Sequence, residues 1–128
     1  MSRDKQRLID YLTHILDAIE RIERYTTGLS LSGFLSEAMV QDAVIRNLEV
    51  IGEACHNIEK HHTEFATAHT ELPLAVAYQM RNAVSHGYFN VDLEMVWATT
   101  RADLPRLHQQ VKALLLEQLH GADEQEAP

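Results

Sequence analysis

Apolar residues recur every three or four positions along the start of the chain, and this pattern limits the fold more than any other feature. The positions are Leu8, Leu12, Ile15, Ile19 and Ile22. Because an α-helix turns once in 3.6 residues, this spacing predicts a helix over about residues 4–25 with one narrow apolar stripe. Residues 26–28 should end it. Such a stripe needs other helices to cover it.

A second long helix is predicted after a polar loop. Its apolar positions are Val40, Val44, Leu48, Ile51, Cys55 and Ile58. The pattern fades at residues 60–62. Gly52 lies inside this helix, where glycine costs about 1 kcal/mol relative to alanine, so we expect another helix to approach its backbone closely. Cys55 has no partner for an internal disulfide and is expected to be buried rather than reactive.

A third helix should begin at Pro73, because proline is favoured in a first turn. Gly87 is a natural place for it to stop. Its expected inward-facing residues are Val76, Ala77, Met80, Ala83 and Val84.

The last helical segment should begin at Asp92 as N-cap and extend to about Leu119. Pro105 is expected to kink or break it, with Asp103 able to cap the restart. We therefore predict an all-α fold, an antiparallel four-helix bundle with a kinked last helix. One helical domain over residues 1–120 and a disordered acidic tail over residues 121–128 account for the chain.

The formal net charge of −8 argues against a general nucleic-acid binder, since non-specific affinity comes from Lys and Arg displacing counterions. Any RNA site must then be a local basic cleft. No apolar run approaches the roughly 20 residues of a membrane span, and no apolar region follows the charged start as in a signal peptide. We therefore expect a cytoplasmic protein with no membrane partner.

Residues 80–89 combine three side chains suited to phosphodiester chemistry. Arg81, His86 and Tyr88 supply a fixed cation, an imidazole and a phenol. An Arg guanidinium matches the fork of two phosphate oxygens, and a His can transfer the proton that breaks a P–O bond. Neither role requires a metal or another cofactor.

The spacing of Arg81 and His86 is a poor one for a site within one helix, because five positions separate their side chains by roughly 140°. Either the helix ends before His86 and the turn swings the imidazole back, or a two-fold dimer brings both residues of two subunits into one cleft. If neither holds, Arg81 makes a surface ion pair and His86 caps a helix C-terminus.

The order Arg-x-x-x-x-His-x-Tyr, with Asn82 right after the Arg, resembles the HepT-like toxins of the HEPN ribonuclease superfamily. Two further blocks are typical of that family, namely residues 41–49 leading into 51–54, and residues 91–93 before 96–97. The resemblance extends over roughly residues 7–116. It implies a HEPN-like bundle and a ribonuclease whose catalytic residues match Arg81 and His86. A homodimer is expected for a chemical reason, because RNA cleavage needs two proton-transfer groups and a symmetric dimer supplies two imidazoles from one His per chain.

The resemblance also implies how the protein would be used and controlled. It predicts a metal-independent endoribonuclease toxin of a type VII-like toxin–antitoxin pair, neutralised by a nucleotidyltransferase (MntA-like) antitoxin that transfers AMP. Tyr88 matches the family's acceptor tyrosine; its alternative role is an aromatic packed at the bundle end. The alternative function is a non-catalytic HEPN module that binds a nucleotide or a partner, which the acidic charge favours.

Three more residues are supporting candidates for the site. Asn82 is expected to orient a neighbour or a phosphate, or to face solvent. Arg46 and Glu53 share a helix with Glu49 at spacings of three and four, which allows an intrahelical ion pair, but they could also line the cleft. His56, His61, His62 and His69 invite a metal site, yet no metal-ligand spacing accompanies them, so none is predicted.

Overall fold

The computed structural model describes residues 2–86 and 92–126, and every regular element in these ranges is helical. The helices are α1 (Arg3–Thr26), α2 (Leu31–Leu35), α3 (Ala38–His61), α4 (Thr63–Ala68), α5 (Leu74–His86), α6 (Leu93–Ala98) and α7 (Leu104–Glu126). A π-helical turn (Thr99–Asp103) joins α6 to α7. The long helices α1, α3, α5 and α7 make the bundle, so the all-α prediction is confirmed.

Neighbouring long helices are antiparallel, as their side-chain contacts show. Between α1 and α3, Arg21 Nε donates to Asn47 Oδ1 at 2.9 Å, and the Tyr11 ring lies edge-on to His62. Residue numbers therefore rise along one helix as they fall along the other. The same order holds for Glu53–Arg81 and His56–Tyr78 between α3 and α5, and for Glu20–His108 and Lys5–Gly121 between α1 and α7.

The apolar stripes predicted on α1 and α3 form much of the core. Fully buried side chains are Leu12, Ile15, Ile19, Ile22, Val44, Ile58, Val96 and Val111. Burying one such side chain contributes about 1.5–3 kcal/mol relative to leaving it exposed. Cys55 is also fully buried, and burial, with a smaller contribution from Glu59, raises the pKa of its thiol to about 12. The prediction that Cys55 is buried is confirmed.

Helix α2 lies where the sequence indicated only a polar loop. Ser30 is its N-cap and accepts a hydrogen bond from the Gly33 N–H at 3.1 Å. Phe34 is fully buried, with its ring centroid 5.2 Å from that of Trp97. This single aromatic anchor holds the α1–α3 connection against α6, a long-range contact that the local sequence does not reveal.

The interruption predicted at Pro105 takes the form of the π turn. Asp92 caps α6, accepting from the Met95 N–H at 3.1 Å, which confirms its predicted role. The expected cap by Asp103 is wrong, because Asp103 lies inside the π turn and Leu104 after it has helical dihedrals. A π turn ahead of a proline accommodates the missing N–H without ending the helix.

The inward face predicted for α5 is too wide. Val84 is buried and Ala77 and Met80 are partly buried, but Val76 is 63% exposed and Ala83 is exposed. The prediction is wrong for Val76 and Ala83 because α5 packs on α3 along one side. Its other flank borders a cavity of about 310 Å³ shared with α7, whose lining includes Val76 and Met80.

Helix α7 includes the first residues of the segment predicted as a disordered tail, and the disorder of that segment stays a prediction. The last two residues of the predicted tail, 127 and 128, lie outside the described ranges. Among the described helices, none combines the length and the apolar character that crossing a membrane needs.

His62 gives the fold an expected sensitivity to acid. Its Nε2 is buried without a hydrogen-bond partner among the described residues. Burial lowers the pKa of His62 from 6.5; nearby His61 and Arg7 lower it further, and Asp4 opposes them. The unfolded chain therefore binds a proton more readily than the folded one, so the free energy of unfolding falls as pH drops below about 6.5.

Replacing His62 with Gln should remove part of this loss of stability. Denaturant unfolding followed between pH 7.5 and pH 5 measures it, with His120→Gln on exposed α7 surface as control. An acid dependence that His62→Gln leaves unchanged would assign the sensitivity to other groups.

Candidate active site

Helices α3 and α5 approach each other closely at Gly52. A Cβ placed on Gly52 would overlap the Cβ of Arg81, and would lie 2.9 Å from Arg81 Cγ and 3.0 Å from the Ala77 carbonyl oxygen. Real side chains do not tolerate such distances, so glycine is required at this crossing. The expectation of a close helix approach at Gly52 is confirmed, and the residue that approaches it is Arg81.

The guanidinium of Arg81 is held from two directions. Its Nη1 donates to Asn82 Oδ1 at 2.9 Å, and its Nη2 lies 3.6 Å from Glu53 Oε2. Its Nε is buried without an acceptor in the described part of the chain. An unsatisfied buried donor is costly, at about 1–3 kcal/mol, and within the described residues this N–H of Arg81 meets no acceptor.

The ion pairs at this site are weak enough to exchange. The side chain of Glu53 is 52% exposed and that of Arg81 is 30% exposed. Arg46 and Glu49 form the predicted intrahelical pair at 3.9 Å, with the Arg46 side chain 74% exposed. Exposed pairs of this kind contribute about 0–1 kcal/mol. An incoming anion can therefore replace a carboxylate as the partner of either arginine.

A cleft between α1, α3 and α5 opens beside Arg81, with a volume of about 310 Å³. Its lining is Tyr11, His14, Arg46, Glu49, Val50, Glu53, Ala54, Asn57 and Arg81. We call it the Arg81 cleft. Of the predicted site residues, the structure brings Arg46, Glu53 and Arg81 together on this cleft, and Asn82 joins them as the hydrogen-bond partner of Arg81.

Two stacked rings support the same arginine. His56 and Tyr78 lie face to face, with centroids 4.1 Å apart and planes 16° from parallel. The Arg81 Cζ lies 6.0 Å from the Tyr78 centroid, at the outer limit of a cation–π contact. The stack therefore braces α5 against α3 one turn before Arg81.

The extent of α5 tests one of the two arrangements left open by the sequence. Helix α5 continues through His86, so the alternative in which the helix ends before it is wrong. The dimer that would unite the two residues stays a prediction. The His86 side chain and the whole of Tyr88 lie outside the described part of the chain.

Tyr11, His14 and Asn57 line the cleft but were not among the predicted site residues. Tyr11 and His14 lie one turn apart on α1, directly beside the apolar stripe at Leu12 and Ile15. That adjacency was visible in the sequence. The sequence did not show which neighbouring helix Tyr11 and His14 would face, because this depends on how α1 is rotated against α3.

Three of the four histidines considered for a metal site contact other side chains. His56 stacks on Tyr78, His62 lies against Tyr11, and the His69 Nδ1 is 3.1 Å from Glu71 Oε1. Within residues 2–86 and 92–126, no three His, Cys, Asp or Glu side chains are grouped so as to hold a metal ion.

Comparison with known proteins identifies relatives of this chain. The family model described as "Ribonuclease HepT-like" matches residues 15–114. A protein of Thermococcus cleftensis named "Probable ribonuclease HepT" is 42% identical over 98 residues, which cover 77% of this chain and 86% of the relative. No solved structure matches the chain significantly.

Two further relatives carry RNase in their names. One from Caldanaerobacter subterraneus subsp. tengcongensis is 35% identical over 105 residues, 82% of this chain and 91% of the relative. A longer protein of Methanocaldococcus jannaschii, whose name joins a gamma-glutamylcyclotransferase to an RNase, is 36% identical over 107 residues, 84% of this chain and 47% of the relative. With the family model matching most of its length, this chain belongs to the HepT-like ribonuclease family of the HEPN superfamily.

Proposed function

We propose that this protein is a metal-independent endoribonuclease that cleaves RNA with Arg81 and His86 as catalytic residues. The observation that carries the proposal is the guanidinium of Arg81, fixed at the Gly52 crossing and partly exposed, on the helix that also carries His86. The RNase names of the relatives support the same activity.

The proposed reaction is attack by the ribose 2′-hydroxyl on the adjacent phosphorus. One group takes the 2′-hydroxyl proton, the new O–P bond forms, and the bond from phosphorus to the 5′-oxygen breaks as a second group protonates that oxygen. The products are a 2′,3′-cyclic phosphate and a free 5′-hydroxyl. Arg81 stabilises the additional negative charge of the five-coordinate phosphorus. The chemistry needs no metal, so cleavage should survive EDTA.

A homodimer would supply both proton-transfer groups. Each chain has one His in the Arg-x-x-x-x-His arrangement, and a two-fold axis near residues 81–88 would place two imidazoles in one cleft. Exposed apolar surface on the same helix supports this, since Val76 is 63% exposed and Met80 only partly buried.

Light scattering should therefore give twice the chain mass at micromolar concentration. Val76→Lys places a charge on the exposed apolar flank of α5 and should shift the protein towards monomer with loss of cleavage. Met39→Lys is the matched control, because Met39 is 86% exposed on α3. A fully active monomer would remove the dimer from the proposal.

We further propose that the protein is the toxin of a type VII-like toxin–antitoxin pair. Its partner would be a nucleotidyltransferase antitoxin that transfers AMP to Tyr88, two residues beyond His86. A bulky anion there would place in the site the same charge that the RNA brings. Growth arrest by the wild type but not by His86→Ala, in a host that lacks the partner, tests the toxin assignment.

Co-expression with the antitoxin should add one or more nucleotidyl units to the intact mass, located on the Tyr88 peptide. Tyr88→Phe removes only the acceptor hydroxyl, so it should give a toxin that the partner no longer silences. If the partner still silences an active Tyr88→Phe protein, neutralisation occurs by binding. If Tyr88→Phe is harmless without any partner, the hydroxyl serves cleavage or site geometry.

The net charge of −8 and the carboxylates of Glu49 and Glu53 on the cleft favour a second candidate function. It is a non-catalytic HEPN module in which Arg81 only anchors a nucleotide or an acidic partner. RNA cleavage by purified protein that His86→Ala abolishes excludes this candidate. Nucleotide binding without cleavage would establish it.

A further inference from the structure

We propose that the Arg81 cleft binds one unpaired nucleotide of the RNA, next to the phosphate that Arg81 holds. The inference rests on the proposed function and adds to it a binding site within a single chain. His14, Tyr11 and Arg46 are the residues it newly assigns to nucleotide binding. They lie on α1 and α3, away from residues 81–88 in sequence but on the same cleft as Arg81.

Size is the first argument. Small-molecule sites in proteins have volumes of about 300–1,000 Å³, and the cleft, at about 310 Å³, is at the lower end of this range. It has room for one nucleotide but not for a base pair. Single-stranded RNA can present an unstacked nucleotide to such a cavity, whereas a duplex cannot without flipping a base.

The distribution of charge is the second argument. Arg46 and Arg81 contribute two cations, and each is paired only weakly with a carboxylate, at 3.9 Å and 3.6 Å. Glu49 and Glu53 lie on the same lining. A bare phosphate would meet two repelling carboxylates there. A nucleotide fits such a mixed lining, because its phosphate can face the arginines while its neutral hydroxyl and amino groups donate to the carboxylates.

The third argument is the uncharged lining of the cleft. Val50 and Ala54 give it an apolar floor, and Tyr11 contributes an aromatic ring held edge-on against His62 at 5.9 Å. Bases stack readily on aromatic side chains, and this contact is tolerant of sequence. His14 lies one turn from Tyr11, so its ring nitrogens can hydrogen-bond a base edge or a phosphate oxygen.

Binding of a short fluorescent single-stranded RNA tests the proposal. The variants are built on His86→Ala so that the RNA stays intact, and the dissociation constant is measured by anisotropy. His14→Gln and Arg46→Gln change exposed side chains and should each weaken binding on the order of tenfold. Arg24→Gln is the matched control, because it removes one positive charge from an exposed position of α1 outside the cleft.

Two further arms identify the ligand. The same RNA annealed to its complement should bind more weakly than the single strand, and equal affinity would overturn the proposal. Free AMP whose binding weakens in His14→Gln and Arg46→Gln would show that a single nucleotide suffices. If only the RNA strand shows this dependence, the site recognises a nucleotide within a strand. Both results support nucleotide binding in the Arg81 cleft.

Cleavage by the corresponding proteins with intact His86 separates this inference from the proposed function. His14→Gln and Arg46→Gln should raise KM and change kcat little, while the melting temperature stays the same. If the protein cleaves RNA but neither variant weakens RNA binding more than Arg24→Gln does, the proposed nucleotide site in the cleft is wrong. The proposed ribonuclease activity is then unaffected. If the wild type binds RNA through His14 and Arg46 but does not cleave it, the proposed ribonuclease activity is wrong and the proposed nucleotide site is supported.

Discussion

Replacing His86 with alanine is expected to reduce RNA cleavage by about a hundredfold to ten-thousandfold, the usual contribution of acid–base catalysis. Replacing Arg81 with alanine should cost about a hundredfold to a thousandfold, as loss of a group that stabilises transition-state charge does. In the proposed mechanism, loss of Arg81 removes the charge that stabilises the transition state, and loss of His86 removes the proton-transfer group. The fold should survive. Alanine keeps the Cβ of Arg81 that contacts Gly52, and the core side of α5 is carried by Val84.

Initial cleavage rates and melting temperatures, measured on the same preparations, check this expectation. His61→Ala is the control for His86→Ala, since it removes an exposed imidazole at the end of α3. Arg81→Lys keeps the charge but loses the two-pronged geometry and should recover only part of the rate. Unchanged cleavage by His86→Ala would remove its catalytic assignment, and a collapsed melting temperature would make its role structural.

The sequence was sufficient to predict the helices that form the core. Leu12, Ile15 and Ile19 on α1 and Val44 and Ile58 on α3 are fully buried, as their spacing predicts. Such periodicity is a strong signal because it extends over several turns and depends only on local geometry. The close helix approach at Gly52 could also be predicted, since a glycine inside a long helix needs a steric reason.

What the sequence could not supply are contacts between distant elements. Val76 and Ala83 have the spacing of core residues, yet they are exposed because α5 packs on α3 and leaves its other flank beside a cavity. Phe34 lies in a segment that reads as a polar loop, and its burial depends on Trp97 far along the chain. Local patterns cannot predict which faces another element will cover.

The candidate site divides in the same way. The residues proposed for catalysis on α5 could be selected from sequence, because Arg81 and His86 have side chains suited to RNA cleavage and carry the family resemblance. The residues that α1 contributes could not be predicted, since His14 and Tyr11 join Arg81 only through the packing of α1 on α3. A cleft formed by three helices has no local sequence pattern.

Gly52→Ala should lower both stability and activity, although alanine is the better helix former. Helix propensity alone would stabilise the variant by about 1 kcal/mol. The new Cβ, however, would overlap Arg81 Cβ and crowd the Ala77 carbonyl, which are backbone or near-backbone atoms unable to move independently of α5. Overpacking of this kind costs about 1–3 kcal/mol, so the helices must separate and the net change should be destabilising.

The activity of Gly52→Ala shows whether Gly52 helps to position Arg81 or only supports the fold. Separation of α3 and α5 moves Arg81, and a displacement near 1 Å can cost about a hundredfold in rate. Gly121→Ala on α7 is the matched control, because among the described residues its Cβ would meet only the flexible end of Lys5. The control should be neutral or more stable by up to about 1 kcal/mol. Denaturant unfolding and kcat decide: a Gly52→Ala protein with raised stability and full activity would show that the close crossing neither strains the helices nor positions Arg81.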